Sequence, residues 1–140
     1  MRVLVVGGAG YIGGITANAL LDAGANVTVF DNLSTGHREA VPEGAEFVQG
    51  ELGDRDSLDR ALRGQAVDAV MYFAALIQAG ESMERPGLYF ANNISNVIAL
   101  INSMGEHGVN KFVFSSSAAV YGEPKSVPID ESSPTYPTNP

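Results

Sequence analysis

Three glycines, Gly7, Gly10 and Gly13, stand between an apolar run, Val3 to Val6, and a helical pattern that opens at Tyr11. They spell GxxGxxG, and Gly8, Gly10 and Gly13 also satisfy GxGxxG. Either phasing has the same physical meaning. A buried strand turns sharply into a helix, and glycine supplies the unusual dihedrals while letting a pyrophosphate approach backbone N–H groups at the helix's positive end. The third glycine lets helix and strand pack closely. About twenty residues further on, Asp31 closes a second apolar run, where a carboxylate accepts hydrogen bonds from ribose hydroxyls. Together these residues predict a dinucleotide site. No GK[ST] follows the glycines, which excludes a P-loop.

Other chemistry-bearing residues weigh less. Ser115, Ser116 and Ser117 sit together after an apolar run, but no histidine or carboxylate spacing nominates a base for a catalytic triad. Tyr121 and Lys125 spell YxxxK, yet that pair must share one helix face, and Gly122 and Pro124 between them oppose a helix. Asp54, Asp56 and Asp59 resemble a carboxylate cluster, but acids at a helix start favour the macrodipole. His37 reads as an exposed loop residue and His107 as a helix cap. No metal site is expected.

The elements that position these residues follow from periodicity. After the glycines, Ile12, Ile15, Thr16, Ala19, Leu20 and Ala23 form one helical stripe, ended by Gly24. Asn26 to Phe30 reads as strand two, 32 to 42 as a loop with at most a short helix, and Ala45 to Gln49 as strand three. Asp54 starts a helix with Leu58, Ala61 and Leu62 inward, and Gly64 stops it. Asp68 to Phe73 is strand four, ending in the small residues Ala74 and Ala75. After Pro86 a long helix is predicted to bury Phe90, Ile94, Val97, Ile98, Ile101 and Met104, and Lys111 to Ser115 is strand five. From Glu123 onward five of the chain's seven prolines make the tail loop or extended structure. Strands alternating with helices predict an α/β, Rossmann-like doubly wound parallel sheet of five strands, order 3-2-1-4-5, with helices on both faces. The ligand then belongs at the carboxyl ends of strands one and four.

Composition bounds the function. The chain has 140 residues, 45% hydrophobic and 17% charged, the profile of one globular domain. A net charge of -8 argues against nucleic acid, whose phosphates need a basic surface. With no cysteine there are no disulfides or thiolate metal ligands. The apolar run before the glycines is too short for a signal peptide, and no stretch approaches a membrane span, so the expected compartment is the cytoplasm.

The segments VGGAGYIGG, FDNLSTGHREAV, FAALIQAGES, NNISN, FVFSSSAAVYGEP and PIDESSPTYPTNP, in this order, resemble the extended short-chain dehydrogenase/reductase family, in particular its UDP-sugar 4-epimerases. The resemblance covers essentially the whole chain. It implies a longer parent with a sugar-nucleotide domain downstream, in which tightly held NAD takes hydride from C4 of a UDP-sugar, a tyrosinate removes the hydroxyl proton, and hydride returns to the other face. Residues 1–140 are then the NAD-binding portion. The resemblance implies NAD contacts from Gly7, Gly10, Tyr11, Ile12 and Gly13 at the pyrophosphate, Asp31 and Asn32 at the adenosine ribose, and Glu51 with Leu52 near adenine. Phe73, Ala74 and Ala75 would line the nicotinamide side, with Asn92 reaching in from its helix. Ser117 takes the place of the serine that hydrogen-bonds the reacting oxygen. The tyrosine and lysine are expected directly after a segment like 137–140, beyond this chain, so these residues alone are expected to be inactive. Glu51 stands where the family usually has Asp, Val6 and Gly14 replace a common Thr and Ser, and Ile77 replaces a lysine used by many members. The family's UDP-glucuronate 4-epimerases and dTDP-glucose 4,6-dehydratases are the rival enzyme readings, and a non-catalytic dinucleotide-binding module is the rival of another class. An open outer edge on strand five predicts a homodimer or other self-association.

Overall fold

The computed structural model describes residues 1–63 and 66–140. Five parallel strands, β1 (Arg2–Val6), β2 (Asn26–Asp31), β3 (Glu46–Gln49), β4 (Ala69–Tyr72) and β5 (Phe112–Phe114), form one sheet in the order β3-β2-β1-β4-β5. This is the predicted order. β1 is central because the chain winds outward from it in two directions, toward β3 and toward β5, each parallel neighbour being reached by a crossover connection. Val5 lies opposite Val29 on one side and Met71 on the other.

Both faces of the sheet are covered, so β1 reads as an unbroken apolar run rather than an alternating one. Val3 and Val5 pack with Ala17, Val27 and Val29 beneath α1 (Tyr11–Asp22). Leu4 and Val6 pack on the opposite face with Leu58, Ala61 and Leu62 of α2 (Arg55–Arg63) and with Leu100 and Met104. Asp54 caps α2: its carboxylate accepts from the Asp56 N–H and the Ser57 hydroxyl, and the latter bond holds its pKa below the ordinary aspartate value. Asp54 and Asp56 therefore serve the helix start, as predicted from their place. The expected stop at Gly64 lies outside the described residues.

Two predicted stripes are corrected. On α1 the inward face is Gly13, Gly14 and Ala17, with Leu20 half-buried, whereas Ile12 and Ile15 are exposed. The helix lies so close to the glycine turn that a β-carbon on Gly13 would come within 2.2 Å of the Gly7 carbonyl oxygen. Only the smallest residues fit, and the larger apolar ones are turned outward. After β4 the chain forms a short helix the periodicity did not reveal, α3 (Ala79–Glu84), then α4 (Pro86–Phe90), a π-helical turn (Ala91–Ser95) and α5 (Asn96–Glu106). Phe90, Ile94, Ile98 and Ile101 are about half exposed; from Pro86 onward the buried positions are Tyr89, Leu100, Ser103 and the predicted Met104, and the predicted Val97 packs half-buried against the core. The wide π turn adds a residue to the helical ladder and rotates the face that α5 presents to the core.

His107 ends α5, its Nδ1 2.8 Å from the Ser103 carbonyl oxygen, the capping place expected of it. His37 is exposed in the loop after β2, which holds one short 3-10 turn (Arg38–Ala40). Tyr121 closes a 3-10 turn (Ala118–Tyr121), whereas Lys125 lies in irregular backbone, so the two share no helix face.

Candidate functional site

The carboxyl ends of β1, β2 and β4 open into a cleft. Its floor is the glycine turn. Gly7 has φ +80°, and a β-carbon there would lie 2.7 Å from the Phe73 carbonyl carbon, so the left-handed backbone and the closeness of the next strand end both require glycine. The turn is anchored on each side: the Gly7 N–H donates to the Phe30 carbonyl at 2.8 Å, and the Phe73 N–H to the Val6 carbonyl at 2.8 Å. Gly8 packs on Val5 and Val29 beneath it.

Gly10 is the N-cap of α1 and brings no side chain to it. The first N–H groups of a helix have no intrahelical acceptor, and here no capping side chain supplies one. They form an anion-binding end in search of an acceptor, which is what two linked phosphates provide. The residues thus fit a dinucleotide.

Asp31 is buried, 8% exposed, at the tip of β2. One carboxylate oxygen accepts from the Ala9 N–H at 3.0 Å and the other from the Leu33 N–H at 2.8 Å. Each oxygen keeps a second lone pair for a ligand hydroxyl. The first bond ties the carboxylate to the glycine turn, and the second holds Leu33 at φ 61°, a left-handed conformation rare outside glycine. The loop then folds back over the turn, with the His37 N–H donating to the Ala9 carbonyl and Gly36 packed on Ala9. Asn32 donates from Nδ2 to both oxygens of Glu51 at 3.1 Å, linking the ends of β2 and β3.

The opposite wall is the segment after β4. Phe73, Ala74, Ala75 and Leu76 line it, clamped by two asparagines of the π turn. Asn92 Nδ2 donates to the Ala74 carbonyl at 3.1 Å. Asn93 pairs with Leu76 as a second backbone would, accepting from its N–H at 2.9 Å and donating to its carbonyl at 3.0 Å.

Of the residues singled out in the sequence, Gly7, Gly10, Asp31, Asn32, Glu51, Leu52, Phe73, Ala74, Ala75 and Asn92 line this one cleft. Tyr11 and Ile12 open α1 with exposed side chains, and Gly13 is packed under the turn. Ser117 stands beyond the end of β5, away from the lining, where its hydroxyl accepts from the Ala119 N–H at 3.1 Å. Sequence reasoning missed Ser34, Thr35 and Gly36, which also line the cleft, and the clamp by Asn93. The signal for the first three was their place just after the acid at a strand end, where loops carry function. The doubled asparagine was the signal for the clamp.

The cleft carries two carboxylates, Asp31 and Glu51, and no lysine or arginine. That end of the cleft therefore suits a neutral hydroxyl-bearing group and repels an added phosphate. Among the described residues no cluster of acidic or histidine side chains could hold a metal ion, and no helix is long and apolar enough to cross a membrane.

The model of the NAD dependent epimerase/dehydratase family matches residues 3–140. The chain belongs to that family. That family is NAD dependent. A UDP-glucose 4-epimerase of Streptomyces lividans is 49% identical over 140 residues, spanning 99% of this chain and 43% of that protein. A crystal structure of a UDP-glucose 4-epimerase superposes with a TM-score of 0.95 at 45% identity, covering 99% of this chain and 42% of that one. The Brucella ovis UDP-glucose 4-epimerase, solved in complex with NAD, gives a TM-score of 0.93 at 41% identity over 99% of this chain and 42% of that one. The chain thus spans about two fifths of the length of the relatives it matches.

Proposed function

We propose that this chain is the NAD-holding portion of a UDP-glucose 4-epimerase, and that the cleft at the ends of β1, β2 and β4 is its cofactor site. The observation that carries the reading is the uncapped amino end of α1 set beside the buried Asp31 carboxylate in one cleft. When bound, NAD supplies a reversible hydride acceptor for C4 of a UDP-sugar.

The chain's own residues bind and orient. Gly7 and Gly10 leave room for the pyrophosphate, and the N–H groups of Tyr11, Ile12 and Gly13 offer donors to it. Asp31 and Asn32 take the adenosine ribose, Glu51 and Leu52 flank adenine, and the small side chains of Ala74 and Ala75 leave space for the nicotinamide end beside Phe73 and Asn92. Ser117 donates its hydroxyl to the reacting oxygen of the sugar. Tyr121 and Lys125 do not form the proton-removing pair, because no helix sets the lysine one turn from the phenol. A positioned base contributes ~10² to 10⁴ in rate, so residues 1–140 alone are expected to bind NAD with negligible turnover.

Copies of the chain are proposed to associate. Two features support this: the outer edge of β5, where Val113 and Phe114 are half exposed, and the apolar stripe Phe90, Ile94, Ile98 and Ile101.

Calorimetric titration with NAD and NADP tests the cofactor reading. NAD is expected to bind more tightly than NADP, and Asp31→Ala to weaken NAD at least tenfold, since hydrogen bonds to a charged acceptor are worth about 1.5–3 kcal/mol. NAD binding that is tight and indifferent to Asp31→Ala would contradict it.

A further inference from the structure

We propose that Asn96 reads the purine base of the dinucleotide, an assignment that rests on the NAD reading above. Asn96 is the first residue of α5 and lies one helical turn before Leu100, which is fully buried; Met104 follows one turn later, 4% exposed. It therefore occupies the face that α5 turns toward the protein, where an apolar side chain would be the default. Instead that face ends at the cleft in a carboxamide.

The other asparagines of the cleft are engaged. Asn92 holds Ala74, and Asn32 holds Glu51. The half-buried Asn96 carboxamide makes no hydrogen bond to the protein among the described residues. Its polar atoms are open to the cleft and so are available to a ligand there.

Its place selects the ligand group. Asn96 Oδ1 stands over the turn that follows β3, 3.4 Å from where a β-carbon on Gly53 would lie. Leu52, the residue before Gly53, lines the cleft after β3, the strand next to β2, whose tip carries the Asp31 carboxylate proposed above to take the ribose. The base attached to that ribose is the part of the dinucleotide that extends toward this turn. An asparagine side chain presents an acceptor and a donor side by side, and adenine presents the complement, the N6 amino group next to the N7 acceptor; with a carbonyl at C6 the same edge offers two acceptors, which no orientation of the carboxamide matches. Glu51 cannot do this alone, because an ionised carboxylate only accepts.

The test compares NAD with nicotinamide hypoxanthine dinucleotide, in which a carbonyl oxygen replaces the N6 amino group, by calorimetric titration of the 140-residue chain. The unmodified chain is expected to prefer NAD. Asn96→Ala is expected to weaken NAD about fivefold, the worth of a neutral hydrogen bond, and the analogue less than twofold, so that the preference narrows. Asn96→Leu, which keeps the approximate shape and removes both the donor and the acceptor, must narrow it as well and serves if the alanine variant fails to fold. Equal losses for both dinucleotides, or no loss, overturn the assignment. If Asp31→Ala abolishes NAD binding while both Asn96 variants keep the full preference, only the role of Asn96 falls. If the unmodified chain binds neither dinucleotide, the cofactor reading falls with it.

Discussion

Replacing Gly13 by alanine sets two effects of opposite sign against each other. In a helix interior alanine is favoured over glycine by about 1 kcal/mol. Against this stands the contact with the turn. The new methyl carbon would lie 2.2 Å from the Gly7 carbonyl oxygen, 2.8 Å from its carbonyl carbon and 2.9 Å from the Gly8 α-carbon. All three are backbone atoms of a turn pinned by hydrogen bonds to Phe30 and Phe73 across it, so none can swing aside as a flexible side chain would. To restore even a 3.0 Å approach, α1 must move outward by about 0.8 Å. A gap of that size forfeits a quarter to a half of the dispersion energy along the lining it opens, here Ala17 against Val3, Val5 and Val29. Overpacking of this kind costs about 3 kcal/mol, leaving a net loss of about 2 kcal/mol after the propensity gain. For a domain of this size that lowers Tm by about 7 °C. Gly10→Ala is the matched comparison, since its β-carbon would meet only the Gly7 carbonyl oxygen at 3.3 Å. It should leave Tm within about 2 °C while weakening NAD, because the methyl stands where the pyrophosphate approaches. Differential scanning calorimetry with NAD titrations separates the two outcomes. A Gly13→Ala protein as stable as the parent, or more so, would refute the close helix-to-turn packing on which the site's geometry depends.

Tyr72 is fully buried, its hydroxyl has no hydrogen-bond partner among the described residues, and burial pushes its pKa up to about 12. In the unfolded chain the phenol ionises near pH 10, so the native state binds the extra proton between those values and stability falls as pH rises from about 10 to about 12, by about 3 kcal/mol in all. Tyr72→Phe should match or exceed the parent's stability at pH 7 and show a shallower loss in urea titrations across that window; an equally steep alkaline loss would count against it. Self-association should appear in sedimentation equilibrium as a mass that rises with concentration and falls on Ile98→Glu, whereas a monomer at every concentration would exclude pairing through the exposed stripe.

Much of the fold was legible because the elements announce themselves locally. Val3 to Val6 ending in glycines, and helices alternating with short apolar runs, are statements about neighbouring residues; the alternation implies a parallel sheet, and the glycine turn after the first strand points to the order 3-2-1-4-5. The stripes were less legible. Periodicity identifies an apolar arc, but α1 has large apolar side chains on one side and glycine and alanine on another. The closeness of the turn decides which is buried. On the chain from Pro86 to Glu106 a π turn shifts the register, so Phe90, Ile94, Ile98 and Ile101 keep helical spacing yet miss the core.

For the site, the sequence by itself determined that a strand would turn through glycines into a helix with an acid at the tip of the next strand, because those demands are conformational and lie within one stretch of chain. Only the tertiary structure decided that Asp31 also holds the Ala9 N–H, that Asn32 reaches Glu51, that Asn93 clamps Leu76, and that Asn96 is left without a partner over Gly53. These pairs are 17 to 43 residues apart along the chain, and spacing in sequence says nothing about which side chains a packed sheet will bring together.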